Sequence, residues 1–252
     1  MDQMNCEAEP YRELAGIYDE LVGNTAFDCW RENFDRLVNR NGIEFTTAAD
    51  IACGTGLAAR YLAGTCARVY AIDKSAEMLD EARARCGLRN IVFIRQQFTE
   101  LELPERVDML TSNFDSLNYL TDEGDLAESL RRFGESVRPG GHAIFDLNTS
   151  RELEAGWGDA VMVHRLTGAF SLWESSWDPG ARINTLRMTN FIERENGSYD
   201  KFEEVHRERA YDLDFILQTL DRAGFAAVET YDAKGLSAVN SDTRRVQFLA
   251  RR

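Results

Sequence analysis

The stretch Asp50-Ile51-Ala52-Cys53-Gly54-Thr55-Gly56 decides how the 252-residue chain is read. The run 48–52, apolar except for Asp50 and expected to be a strand, leads into it, and a helical run through Ala59 and Leu62 leaves it and stops near Gly64. Gly54 and Gly56 carry no side chain, so a ligand can approach the backbone there, and the helix that follows aims its first N–H groups at that ligand. The next strand-like run, 69–73, ends on Asp73. A carboxylate one strand over can accept from both hydroxyls of a ribose. The glycine turn and Asp73 therefore read as a site for an adenosine-like ligand.

Working outward, strand and helix signals keep alternating. Ser75 is placed to cap a helix that buries Met78, Leu79, Ala82 and Cys86, with Gly87 as its closing residue. Strands are expected at 91–94, 107–111 and 143–147, with a helix at 123–137 before Pro139-Gly140-Gly141. Such alternation implies a parallel sheet with helices on both faces and a ligand site at the strand C-terminal ends. Upstream, Tyr11, Leu14, Ile17, Tyr18 and Leu21 repeat at helical spacing, as do Trp30, Phe34, Leu37 and Val38, so 11–40 reads as helices.

Residues 151–211 break the rhythm. Asp178-Pro179-Gly180 and Asn196-Gly197 are turn signals flanking the alternating run 183–192, which predicts an antiparallel cap. Three of the four tryptophans, Trp157, Trp173 and Trp177, fall in it. Trp173, Trp177 and Phe191 form either the core of a small sheet or a cation-binding cage. Asp212 is expected to cap a helix carrying Phe215, Ile216 and Leu220 and ended by Gly224, before strands at 227–231 and 245–249. The division is then 1–45 as an N-terminal helical lid, 46–150 as the ligand-binding core, 151–211 as the inserted cap, and 212–252 as the last helix and two strands.

Composition narrows the function. With 29 Lys and Arg against 43 Asp and Glu, the net charge is −14, which disfavours nucleic acid and anionic membranes as partners. No run of 18 apolar residues is present to span a bilayer. Five cysteines (Cys6, Cys29, Cys53, Cys66 and Cys86) without a C-x-x-C pair suit a reduced, cytoplasmic compartment, and the acidic N-terminus reads as no signal peptide. The three scattered histidines form no metal-ligand motif, so a metal-free site is expected.

Glycine spacing alone also satisfies the dinucleotide fingerprint, which would make the chain an NAD-dependent oxidoreductase, or a non-catalytic adenosine-binding module. Asp50 argues against the dinucleotide. A carboxylate is poorly placed beside a pyrophosphate but suits a ligand with an ammonium and a sulfonium.

Asp50-x-x-Cys53-Gly54-Thr55-Gly56 resembles motif I of the class I S-adenosylmethionine (SAM)-dependent methyltransferases. Ala71-Ile72-Asp73 with Met78 resembles the ribose-binding motif, Val107-Asp108 to Tyr119 the fourth-strand motif, and Arg138-Pro139-Gly140-Gly141 the turn before strand five. The resemblance implies a Rossmann-like, seven-stranded, mostly parallel α/β sheet with N-terminal helices and the antiparallel β cap inserted after strand five. It implies SAM as methyl donor, S-adenosylhomocysteine (SAH) as product and a small-molecule N or O acceptor. Asp50, Ala52, Cys53, Gly54 and Gly56 would line the methionine and ribose portion. The family usually has Gly where Ala52 stands. Asp73 would hold the ribose hydroxyls, Lys74 and Met78 would flank the adenine, and Gln97 and Phe98 would face its ring and amino group. The family often carries Asp where Gln97 stands. Asn113 and Phe114 would lie near the methionine end. Asn113-Phe114-Asp115-Ser116 lacks the paired prolines of the nucleic-acid N-methylases, which keeps the acceptor small.

Tyr18-Asp19 resembles a Tyr-Asp pair whose Tyr closes over the donor pocket, the other reading being that Tyr18 packs under the first helix, and Trp30 is either a further candidate for that pocket or a structural residue. Glu204-x-His206-x-x-Arg209-x-Tyr211 stands where the cap rejoins the sheet. On a strand Glu204 and His206 would share a face. His206 is then either a general base with its tautomer held by Glu204, or a structural histidine. His164 is a weaker candidate, and His142 lies at the wrong edge. Oligomeric state is left open, a homodimer being one arrangement.

Overall fold

The computed structural model describes residues 14–16 and 18–252, apart from the side chains of 22–25. Tyr11, Ile17 and Cys6 lie outside the described residues. Eleven strands and five α-helices make up the described chain.

Seven strands form one sheet. They are β1 (Thr47–Ile51), β2 (Arg68–Asp73), β3 (Ile91–Arg95), β4 (Val107–Ser112), β5 (Val137–Asn148), β10 (Ala227–Asp232) and β11 (Arg245–Arg251). Their order is β3-β2-β1-β4-β5-β11-β10. The first five run parallel, whereas β11 is antiparallel to both β5 and β10. The order reverses at β1, between β2 and β4, so a crevice opens at their C-terminal ends.

Both sheet faces are apolar because helices cover both. Alternate residues divide cleanly. Ala48, Val69, Met109, Ile144 and Leu249 face α1 (Asn24–Asn41), α2 (Leu57–Ala63) and α3 (Ala76–Arg85). Ile51, Ile72, Leu110, Phe145 and Phe248 face α4 (Glu123–Ser136) and α5 (Leu213–Arg222). Phe133, Phe145 and Phe248 are fully buried at the centre of the second layer.

The insertion is a second, four-stranded antiparallel sheet between β5 and α5, in the order β6 (Ala160–Leu166), β7 (Ala169–Asp178), β8 (Ile183–Glu193) and β9 (Tyr199–Arg209). At the Asp178 turn, its carboxylate accepts from Gly180 N and Ala181 N at 2.8 and 3.0 Å. Gly197 takes φ +79° at the other turn. Trp173 is 7% exposed, stacks on Trp157 at 5.8 Å, and packs with Leu14, Leu186 and Met188. Trp173 is thus core of the small sheet rather than part of a cage.

Several expectations need correction. Among the described residues of the helical stretch read over 11–21, the chain forms a 3-10 turn at Leu14–Gly16 and a π turn at Asp19–Gly23. Tertiary partners override the helical period there: Leu14 N donates to Glu204, and Asp19 accepts from Thr55 and Arg85. Helix α3 stops at Arg85, and Cys86 is already extended, so Gly87 closes nothing. Asp212 precedes α5 without a side-chain cap bond, because its carboxylate pairs with Arg182 at 2.7 Å. Strand β5 begins directly at the end of α4, a register shift between Val107 and Met109 absorbing the Pro139-Gly140-Gly141 corner. The β6–β7 turn at Thr167-Gly168 and the π turn Glu152–Trp157 lie outside the expected elements.

Candidate active site

A cavity of about 180 Å³ lies over the C-terminal ends of β1, β2 and β4. Its floor is the turn after β1. Cys53 N donates to Ile72 O, and Gly56 N donates to Cys53 O, both at 2.9 Å, so the turn is tied to β2 and closed on itself. Ala52 sits at φ +57° and Gly54 at +53°, the left-handed region. That explains why glycine suits both positions; at Gly54 it is the backbone conformation alone that favours glycine, since an added Cβ would meet no atom and would stand in open space. Gly56 serves packing instead. At φ +81° it begins α2, and a Cβ would come within 3.1 Å of Ala82 Cβ on α3.

Asp73 ends β2, with Oδ2 accepting from Gly54 N at 2.8 Å and Oδ1 from Ser75 N at 2.9 Å. Each oxygen keeps a second acceptor position. Burial pushes its pKa up, against those two backbone bonds. Ser75 caps α3 through Met78 N at 3.1 Å, which sets Met78 against the cavity while it remains 2% exposed. Contact and core are the same placement for that residue.

Asp50 is 2% exposed, and burial pushes its pKa up to about 7. Thr111 Oγ1 donates to Oδ1 at 2.9 Å, whereas Oδ2 makes no hydrogen bond. Across the cavity, Asn113 is equally buried, and neither its Oδ1 nor its Nδ2 is bonded. Unmade hydrogen bonds at buried polar atoms cost about 1–3 kcal/mol each, so three of them on residues that line one cavity point to a polar ligand.

The bend carrying Asn113 and Phe114 is held from β5. Phe114 and Asp115 both take left-handed φ, +59° and +54°. The Asp146 carboxylate accepts their N–H groups at 3.1 and 2.6 Å. Burial pushes Asp146 up, with Arg245 opposing. Burial opposes the Arg245 charge in turn, but Asp115, Asp146 and Glu208 outweigh it. Asn148 Nδ2 donates to Asp115 at 2.9 Å and to Glu208 at 3.1 Å, joining the bend to β9 of the small sheet.

Of the residues read from sequence, Asp50, Ala52, Cys53, Gly54, Asp73, Lys74, Met78, Gln97, Phe98, Asn113, Phe114 and Tyr18 all line this cavity. Burial, then Asp115 and Asp19, pushes the Tyr18 phenol up, and the neighbouring Asp19 accepts from Thr55 Oγ1 at 2.5 Å. Three others do not line it. Gly56 lies behind the turn. Trp30 is 4% exposed in an aromatic cluster with Phe27, Phe34 and Tyr61, reaching only the far side of Phe114 at 6.5 Å. His206 stands one residue back: Nδ1 is 2.9 Å from Tyr119 Oη, and Tyr119 is what lines the cavity. Its Nε2 is 3.2 Å from Glu204 Oε2, so the two do share a strand face. His164 packs on Trp173 at 4.2 Å.

Sequence reasoning passed over Ser116, Tyr119 and Asp125, which also line the cavity. The available signal was position: all three follow β4, at the edge where ligands bind. Among the described residues, no three Cys, His, Asp or Glu side chains gather as metal ligands. No helix there is long and apolar enough to cross a membrane.

Residues 48–141 match the profile of a methyltransferase domain. Over 247 residues the chain is 28% identical to a Geobacillus sp. (strain WCH70) protein named for methyl transfer without a stated acceptor, covering 96% of this chain and 99% of that one. A SAM-dependent methyltransferase from Clostridium acetobutylicum superposes with a TM-score of 0.84 at 26% identity, covering 95% of this chain and 97% of the other. The dTDP-3-amino-3,6-dideoxy-α-D-glucopyranose N,N-dimethyltransferase of Streptomyces fradiae is 30% identical over 142 residues, 56% of this chain and 55% of that protein. The fold, the glycine turn and these likenesses define a class I SAM-dependent methyltransferase. Its methyl donor is SAM.

Proposed function

We propose that the cavity over β1, β2 and β4 is the SAM site and that the enzyme methylates a nitrogen or oxygen of a small molecule. Asp73 takes the ribose hydroxyls. Lys74, Met78, Gln97 and Phe98 flank the adenine. Asp50 and Asn113 face the methionine ammonium and carboxylate, and Phe114 and Tyr18 bound the methyl end. The observation that carries this reading is the set of bare, buried polar atoms on Asp50 and Asn113 in the cavity that Asp73 also lines. An Asp50 carboxylate near its titration point suits a cationic ligand.

SAM brings an already activated methyl group on a sulfonium. What remains for the chain is to hold the acceptor in line and exclude water. Alignment of that kind is worth about 7–11 kcal/mol of barrier in favourable cases. A small acceptor is supported by the net charge of −14, by the absence of paired prolines after Asn113, and by the amino-sugar substrate named for the Streptomyces fradiae relative. Calorimetry tests the donor site: SAM and SAH bind and NAD does not, and Asp73→Ala weakens SAH at least about tenfold, the loss of two charge-assisted bonds. Unchanged SAH affinity in that variant refutes the ribose assignment.

A further inference from the structure

We propose that Tyr119, oriented by His206 and Glu204, is the residue that takes hold of the acceptor's N–H or O–H and receives its proton. This rests on the reading of the cavity as the donor site. Glu204 is fully buried on β9, and its Oε1 accepts from Leu14 N at 3.1 Å. Its Oε2 lies 3.2 Å from His206 Nε2. A carboxylate only accepts, so Nε2 carries the imidazole proton, and in the neutral ring Nδ1 is then an acceptor. With the ring neutral, Tyr119 Oη, 2.9 Å from Nδ1, is the donor of that bond. A phenol that spends its single proton on His206 offers the cavity lone pairs, not a donor. An acceptor meeting Tyr119 must bring the N–H or O–H itself.

The surroundings fix this arrangement. His206 is 2% exposed, so water does not compete for the ring. Arg209, further along the same strand, donates to Thr121 O at 2.9 Å, and Tyr211 Oη bonds Leu120 O, so the end of β9 and the residues after it grip the segment that carries Tyr119. In the transfer, the acceptor's lone pair forms the new bond to the methyl carbon while the carbon–sulfur bond breaks and its electron pair stays on sulfur, leaving SAH. The acceptor proton passes to Tyr119 Oη as the Tyr119 proton passes to His206 Nδ1. The result is an imidazolium beside the Glu204 carboxylate, and the proton is later returned to solvent. Tyr119 is thus the acceptor-contacting residue, whereas His206 and Glu204 are positioning residues.

Nitrogen-15 NMR of histidine-labelled protein bound to SAH tests the arrangement without turnover. The chain has three histidines, so His206 is assigned by removing His142 and His164 one at a time. The expected result is the Nε2–H tautomer, with Tyr119→Phe moving the Nδ1 resonance toward that of a non-bonded ring nitrogen and leaving Nε2 in place. An Nδ1–H tautomer, or an Nδ1 signal blind to Tyr119→Phe, overturns the proposal. In a second arm, methyl transfer to dTDP-3-amino-3,6-dideoxy-α-D-glucopyranose is followed. Tyr119→Phe should lower kcat about 100-fold, the low end for general-base loss, and His206→Asn about tenfold, with SAH affinity and the KM for SAM unchanged in both. Wild-type kcat in Tyr119→Phe overturns the proposal. If the wild-type enzyme leaves this sugar unmethylated, the sugar is not its acceptor and the NMR result alone decides the relay.

Discussion

Replacing Asp50 by Asn should make the unliganded enzyme more stable and its SAM complex weaker. The carboxyl is 2% exposed, one oxygen is bonded only to Thr111, and burial lifts its pKa from 3.8 to about 7, with Thr111 and the nearby Ala59 N–H opposing. A group that binds its proton more tightly when folded loses stability as pH rises. Below its ordinary value both states are protonated and no penalty exists. Between 3.8 and about 7 the unfolded chain is ionised and the folded one is not. Above that window the penalty is complete, at about 4 kcal/mol for a shift of this size. Asparagine removes the charge but leaves a buried N–H unpaired, which costs about 1–3 kcal/mol. The net gain at pH 8 is therefore about 1–3 kcal/mol, or several degrees in Tm at roughly 2–4 °C per kcal/mol for a chain of this size. Urea denaturation of both proteins at a series of pH values is the assay. The difference should grow from pH 4 to 7 and then level off, while SAM affinity falls at least about tenfold, as expected when a charge partner is lost. A difference that stays flat across that range would show that Asp50 is not held near neutrality by burial.

Gly56→Val should cost about 2 kcal/mol, because a Cβ meets Ala82 at 3.1 Å on a backbone at φ +81°. Gly54→Ala should cost about 1 kcal/mol from left-handed strain alone, since no atom lies near its added Cβ. Thermal melts separate the two, and equal losses would contradict the assignment of one glycine to packing and the other to the cavity. Arg245→Met leaves Asp115, Asp146 and Glu208 facing one another. With the guanidinium 31% exposed, the expected loss is about 2–3 kcal/mol, below that of a fully buried pair. It should be smaller at low pH, where the carboxyls are neutral, and a loss independent of pH would argue for packing instead.

The parallel sheet and most of the lining of the cavity over β1, β2 and β4 were legible because they depend on local rules. Apolar strands, a glycine turn and an acid at the next strand end occupy neighbouring sequence. Residues whose role is decided by a distant partner were harder to read. Trp30 was open to a pocket role and a structural one, and only the fold shows its neighbours Phe34 and Tyr61 drawing it into an aromatic cluster. His206 was recognisable as chemically capable, yet only the fold shows Tyr119, 87 positions away in sequence, standing between it and the cavity. The carboxylate of Asp212 reads as a helix cap until Arg182 is found beside it. At Leu14 and Asp19 the helical spacing met bonds to Glu204, Thr55 and Arg85 that set the backbone there.

The most direct measurement is a crystal structure with SAH. The account predicts its ribose hydroxyls on the Asp73 carboxylate, its amino acid end between Asp50 and Asn113, and its sulfur facing the space bounded by Phe114, Tyr18 and Tyr119. SAH bound elsewhere, or with its ribose away from Asp73, would contradict it.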